Sequence, residues 1–236
     1  PKHDSKVPGY SLGRISYRTF KEYRNYPLIS AASNVSSDID RYHALAPHIC
    51  DIYSSFGWDA DRMRVVPNIV DEQFLIPNDS QFTEPYKLLY VGSLKRHKGV
   101  TMLPKVVSGL LREGINTNLT IVGTGEELES IKKLSHKLGV KNKIDYLGEV
   151  EYATLPEMYS SHDVFVYPGD WDEPFGRVFI EALAAGLPVV ATDVGSVENI
   201  IGPGGVTTDR SVDSLVSATL SVLNNLEKFS MNATEK

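Results

Sequence analysis

The chain has 236 residues, 42% hydrophobic and 23% charged, which is ordinary for a globular protein and enough for one large core or two small ones. A formal net charge of −6, with no large Lys/Arg excess, argues against a general nucleic-acid binder. The single Cys50 excludes an internal disulfide and fits a reducing, cytoplasmic setting. No Cys/His group has zinc spacing, and no apolar run approaches the ~18 to 20 residues of a membrane span.

Residues 1–66 open with a polar-aromatic stretch in which Arg14, Arg18, Lys21 and Arg24 recur at helical spacing beside Tyr17, Phe20 and Tyr23. Such a face suits an anionic membrane surface, a peripheral contact on the cytoplasmic side. The plainer reading, a solvated helix face packed on its own domain, has the stronger claim. A strand over 42–45 and a helix over 47–56 follow, too little for a separate domain. From Lys87 onward the pattern changes. Short apolar runs predict strands over 88–91, 119–122, 144–147, 164–167, 188–191 and 205–207. Between and after them, helices are expected over 100–112, 126–138, 154–160, 176–185, 197–201 and 212–226. Alternation of this kind is the signature of an α/β, doubly wound parallel sheet covered on both faces.

The chemistry concentrates in Glu173-Pro-Phe-Gly-Arg-Val-Phe-Ile-Glu181, directly after the apolar run that ends at Tyr167. The bare amides of Phe175, Gly176 and Arg177 at a helix start suit a diphosphate, because helix-end donors and the macrodipole both favour negative charge. Glu173 before the helix and Glu181 within it offer acceptors to hydroxyls at opposite ends of one ligand, which suits a nucleotide-sugar. Gly123-Thr-Gly125 supplies a tight turn with open backbone after a strand. It is not a dinucleotide fingerprint, since position 128 is Leu. Asp170-Trp-Asp172 has the form of a divalent-metal motif, but it lies two residues from a turn whose amides already serve phosphates. No metal and no other cofactor is expected.

After Glu181 the chain continues as Ala182-Leu-Ala-Ala-Gly186-Leu-Pro188-Val-Val-Ala-Thr192. Here the sequence resembles the retaining glycosyltransferases of family four, which carry Glu, seven residues, Glu at this point. Val91-Gly-Ser-Leu-Lys-Arg-His-Lys98-Gly99, Pro67-Asn-Ile-Val-Asp71 and Ile121-Val-Gly-Thr-Gly125-Glu are similar to its first donor-domain strand and turn, its interdomain segment and its second strand and turn. The resemblance implies the GT-B fold. Residues 1–66 would be the remnant of an N-terminal acceptor domain, 67–86 the interdomain segment and 87–236 the nucleotide-sugar donor domain. The chain would then be a fragment carrying the donor half.

The same resemblance implies roles for individual residues. Lys98 would neutralise the leaving diphosphate, and Glu173 would orient the donor sugar and stabilise its charge, as the catalytic pair. Glu181 would hold the ribose. Gly123, Gly125, Gly148 and Val150 would line the nucleotide, with Phe175, Gly176, Arg177 and Val178 at the helix start. Ser93 stands where many members of the family have Arg, so Arg96 or Arg177 compensates or donor binding is weaker. The implied activity is transfer of a sugar from a nucleotide diphosphate sugar to an acceptor hydroxyl, with retention. The acceptor would be a glycan, a lipid-linked group or a small molecule. A nucleotide-sugar epimerase of the same architecture and a non-catalytic nucleotide-sugar-binding module are the alternatives.

Overall fold

A computed structural model describes residues 39–234 apart from 77, 79–81 and 172–174. The basic-aromatic stretch over 14–24 lies outside the described residues. The chain divides into two compact units, 1–66 and 67–236. In the first, strand β1 (Tyr42–Ala44) pairs in parallel with β2 (Met63–Val65), and helix α1 (Pro47–Ser55) lies between them in sequence. Trp58 packs against Tyr42 and Tyr53, with ring centroids 4.7 Å away in each case. The sequence gives no sign of β2. Three residues with one buried side chain, flanked by Arg62 and containing Arg64, carry no usable periodicity.

The second unit is built on a six-stranded, wholly parallel sheet in the order β5-β4-β3-β6-β7-β8. Its strands are β3 (Tyr86–Val91), β4 (Thr117–Val122), β5 (Ile144–Gly148), β6 (Val164–Tyr167), β7 (Val189–Thr192) and β8 (Gly205–Thr208). Every residue of β6 and β7 is buried, as continuous apolar strands covered on both faces must be. The chain runs outward from β3 in one direction and from β6 in the other, so the topological switch point lies between these two neighbours. The doubly wound sheet expected from the sequence is therefore present.

The helices are α2 (Leu103–Arg112), α3 (Leu128–Lys137), α4 (Leu155–Ser160), α5 (Arg177–Ala184), α6 (Val197–Ile201), α7 (Val212–Leu223) and α8 (Leu226–Thr234). Two depart from expectation for local reasons. The segment 100–102 forms a separate 3-10 turn, and α2 starts at Leu103, because Pro104 has no N–H to donate and fits only a first turn. The single helix expected over 212–226 breaks at Asn224. There the Asn225 side chain donates to the Ser221 carbonyl at 2.9 Å, the kind of side-chain competition that makes Asn a weak helix former. Beyond the break, α8 returns to the body of the unit, where Ser230 Oγ donates to the Gly186 carbonyl at 2.7 Å.

Buried His162 ties α4 to the sheet. Nδ1 faces the Met158 carbonyl at 2.6 Å and Nε2 faces Thr120 Oγ1 at 2.9 Å, a pairing that the neutral ring satisfies with its proton on Nδ1. Burial lowers its pKa below 6.5; the Met158 carbonyl opposes this shift and Lys87 adds to it. Between the folded and unfolded values only the unfolded chain holds the proton, so this group's stabilisation is complete above about pH 6.5 and lost as pH falls through the folded pKa. Urea midpoints recorded from pH 7.5 downward should decline over that window, and His162→Gln should remove this component. An unchanged pH slope in the variant would show that another group is responsible.

Candidate functional site

In a parallel sheet all strands end at one edge, and the sequence-predicted residues follow those ends. Lys98 follows β3, Gly123 and Gly125 follow β4, Gly148 ends β5, and the segment 168–176 follows β6. This edge brackets the switch point, where open α/β sheets bind ligands.

The loops interlock there. After β3, Gly92 N and Leu94 N donate to the Val122 and Thr124 carbonyls at 3.0 and 2.8 Å, and Gly123 N donates to the Gly148 carbonyl at 2.6 Å. A Cβ at Gly123 would lie 2.0 Å from the Gly92 oxygen, and one at Gly125 2.5 Å from that of Leu94. The 3-10 turn Arg96–Lys98 ends at Gly99 in the left-handed region (φ +66°), where a Cβ would meet the Pro168 carbonyl at 1.8 Å. Only glycine permits both the turn and the approach. On the other side of that turn, Asp170 N donates to the His97 carbonyl at 2.8 Å and the Trp171 ring lies 5.3 Å from that of His97. Asp170 pairs with Arg210 at 3.1 Å, and Thr192 Oγ1 donates to the Gly169 carbonyl.

Within this frame Lys98 is half-buried. Its ammonium donates to the Tyr167 hydroxyl at 3.0 Å, and burial, with neighbouring Lys95 adding to it, lowers its pKa. Ser93 is half-buried, and its carbonyl accepts from the Tyr90 hydroxyl at 3.1 Å, while Arg96 is exposed. Helix α5 follows Gly176, which has no side chain with which to cap it, and the Phe179 amide of its first turn donates to the Gly176 carbonyl at 3.0 Å. Phe175 before this turn is buried and Val178 half-buried, as is Val150 beyond β5. Glu173 lies outside the described residues.

Glu181 is 4% exposed and its two oxygens are taken by different tyrosines. Tyr159 donates to Oε2 at 3.2 Å and Tyr152 to Oε1 at 3.3 Å. The Arg177 guanidinium lies 3.6 Å from Oε1 and donates to the Tyr152 hydroxyl at 2.8 Å. Of the two arginines considered for the cation missing at Ser93, Arg177 is thus turned to the Glu181 carboxylate. Tyr159 is fully buried, and its pKa is raised well above 10 by burial and then by the Glu181 charge, so it remains a donor. Tyr152, Tyr159 and Tyr167 are the site neighbours that sequence reasoning missed. A buried tyrosine needs a hydroxyl partner, and that requirement was the available signal for Tyr159 and Tyr167, though not for the exposed Tyr152.

Among the described residues no three His, Cys, Asp or Glu side chains form a group able to hold a metal, and no helix is long and apolar enough to cross a membrane.

Comparison with known proteins places the chain in a family. An uncharacterized glycosyltransferase of Methanocaldococcus jannaschii is 41% identical over 48% of this chain and 29% of its own length. A GDP-mannose-dependent phosphatidylinositol monomannoside mannosyltransferase of Mycobacterium tuberculosis is 31% identical over 71% and 45%. The chain thus spans less than half the length of these curated relatives. Among solved structures, Anabaena HepE in complex with UDP superposes with a TM-score of 0.77 at 18% identity, over 89% of this chain and 62% of that one, which shows a shared GT-B fold. The family profile described as glycosyl transferases group 1 matches residues 72–236, most of the chain. The protein therefore belongs to the group 1 glycosyl transferases.

Proposed function

We propose that this chain carries the donor-binding half of a retaining glycosyltransferase that moves a sugar from a nucleotide diphosphate sugar to an acceptor hydroxyl. One observation carries the reading: a half-buried lysine after β3 and a helix N-terminus with glycine at its cap after β6 stand at the ends of neighbouring strands, at the switch point of a parallel sheet. Both favour a diphosphate, and preorganised positive charge is the term that usually dominates catalysis with such a leaving group. The UDP in the complex of the Anabaena neighbour supports a nucleoside diphosphate as the class of ligand.

In this reading Glu181 accepts the ribose hydroxyls, the Gly123–Gly125 turn and Gly148–Val150 line the nucleotide, and Glu173 faces the sugar. In front-face transfer the bond from anomeric carbon to phosphate oxygen breaks as the acceptor oxygen bonds the same face. The acceptor's proton passes to the leaving phosphate. Residues 1–66 are assigned to the acceptor domain and 67–86 to the interdomain segment, and phosphate binding needs no metal.

Incubating the full chain with UDP-, GDP- and ADP-sugars and candidate acceptors, with and without excess chelator, tests the proposal. The expected product is an α-linked glycoside from an α-linked donor, with donor affinity unchanged by chelator. An isomerised sugar would mark an epimerase, and donor that stays bound but unaltered even when a whole acceptor domain is joined to the chain would mark a binding module. Affinity lost to chelator and restored by manganese would point to Asp170 and Asp172 as ligands.

A further inference from the structure

We infer that Tyr167 is a positioning residue, whose hydroxyl aims the Lys98 ammonium at the diphosphate and couples it to the start of α5; this rests on the donor-binding reading above. The ammonium meets the hydroxyl at 3.0 Å but lies 5.6 Å from the ring centroid, so the contact is a hydrogen bond at the ring's edge rather than a seat over its face. An ammonium has three N–H donors. The hydrogen bond to Tyr167 engages one of them.

The hydroxyl is well suited to this because its ring cannot move. Tyr167 is the last residue of β6, 2% exposed, with its ring 6.3 Å from Tyr90 at an interplanar angle of 13°. On another side it packs edge-on against Phe179, 4.9 Å away at 80°. The chain after β6 folds over it so tightly that a Cβ at Gly169 would lie 2.4 Å from the ring. Lys98, by contrast, has a long flexible stem whose ordering opposes ligand binding unless a contact has already restricted it. A fixed acceptor does so before the ligand arrives.

Neutrality matters as well. A carboxylate in the same place would hold the lysine more firmly but cancel its charge. Burial raises the phenol pKa, so Tyr167 remains a neutral hydroxyl that orients the cation without itself cancelling its charge. The same ring reaches the second phosphate-binding element. Phe179, against which Tyr167 packs, lies under Gly176, where a Cβ would come within 2.6 Å of the Phe179 ring. Lys98 and the α5 amides therefore rest on one aromatic floor of Tyr167 and Phe179.

A double-mutant cycle on the full chain, with UDP, GDP and ADP each compared with its nucleoside, tests this. Tyr167→Phe removes one oxygen from a packed ring, and Lys98→Met keeps the apolar stem; thermal melts confirm that both fold. Tyr167→Phe should weaken diphosphate binding about 10-fold, leave the nucleoside unchanged, and have no effect once Lys98 is Met. Equal losses in both Lys98 backgrounds would overturn the inference, because Tyr167 would then act without the lysine. A Lys98→Met loss with no Tyr167→Phe loss would overturn it while leaving the donor site intact. No diphosphate-specific loss in either variant would overturn both.

Discussion

Lys98→Ala should weaken binding of nucleoside diphosphates by about 1.5 to 3 kcal/mol, a loss of roughly 10- to 150-fold, while nucleoside affinity stays nearly constant. The lysine addresses the phosphates alone, and the frame around it, from Gly99 to Pro168, is backbone that the substitution leaves in place. The wild-type pH profile offers a second check. Only the ammonium attracts the ligand, and burial, followed by Lys95, lowers its pKa from 10.5. Diphosphate affinity should therefore decline with rising pH earlier than an ordinary lysine would dictate, and the decline should vanish in the variant. Calorimetry reporting equal losses for diphosphate and nucleoside would remove Lys98 from the phosphate site.

The second large effect concerns Glu181. Glu181→Gln should weaken every nucleotide, sugar-bearing or not, by about 1.5 to 3 kcal/mol if the ribose hydroxyls donate to its charge. The burial of this carboxylate makes Gln the better probe. Glu181→Ala also strips the acceptor from the fully buried Tyr159 hydroxyl and opens a cavity, so its melting temperature should drop. Glu173 should behave differently: its replacement by Gln should spare nucleoside diphosphate affinity, weaken the intact donor, and lower turnover more than binding. Folded Glu181 and Glu173 variants with wild-type donor binding and turnover would sink the proposed site.

The sequence reveals what neighbouring residues decide together. Strand β6 and helix α6 have the bounds expected from their apolar runs, and the order of strands and helices after Lys87 follows from the same alternation. The start of α2 was misplaced because Pro104 ends one kind of turn and begins another. Asn224 was passed over because the apolar period continues across it into α8. At the candidate site, Lys98 and the turn glycines were legible because each motif is a few residues long. The tyrosines were not. Tyr167 lies 69 positions from Lys98, and Tyr152 and Tyr159 lie 29 and 22 from Glu181, so only the folded sheet brings them together.

The crowding at the strand ends also distributes freedom unevenly along the rim. At Gly99, Gly123 and Gly125 an added methyl would strike a backbone oxygen, and backbone cannot step aside without undoing a neighbouring loop. At Gly148 an added methyl has nothing within 4 Å, and the constraint there is the left-handed backbone, φ +69°, rather than a neighbour. Side-chain change is therefore nearly barred at the end assigned to the phosphates, whereas beside the end assigned to the base Glu149 and Glu151 are exposed. A designer wishing to alter which nucleotide this scaffold accepts should vary Glu149 and Glu151 and leave the lysine turn and Tyr152 untouched, because the first are exposed and the others are locked to backbone or to Glu181.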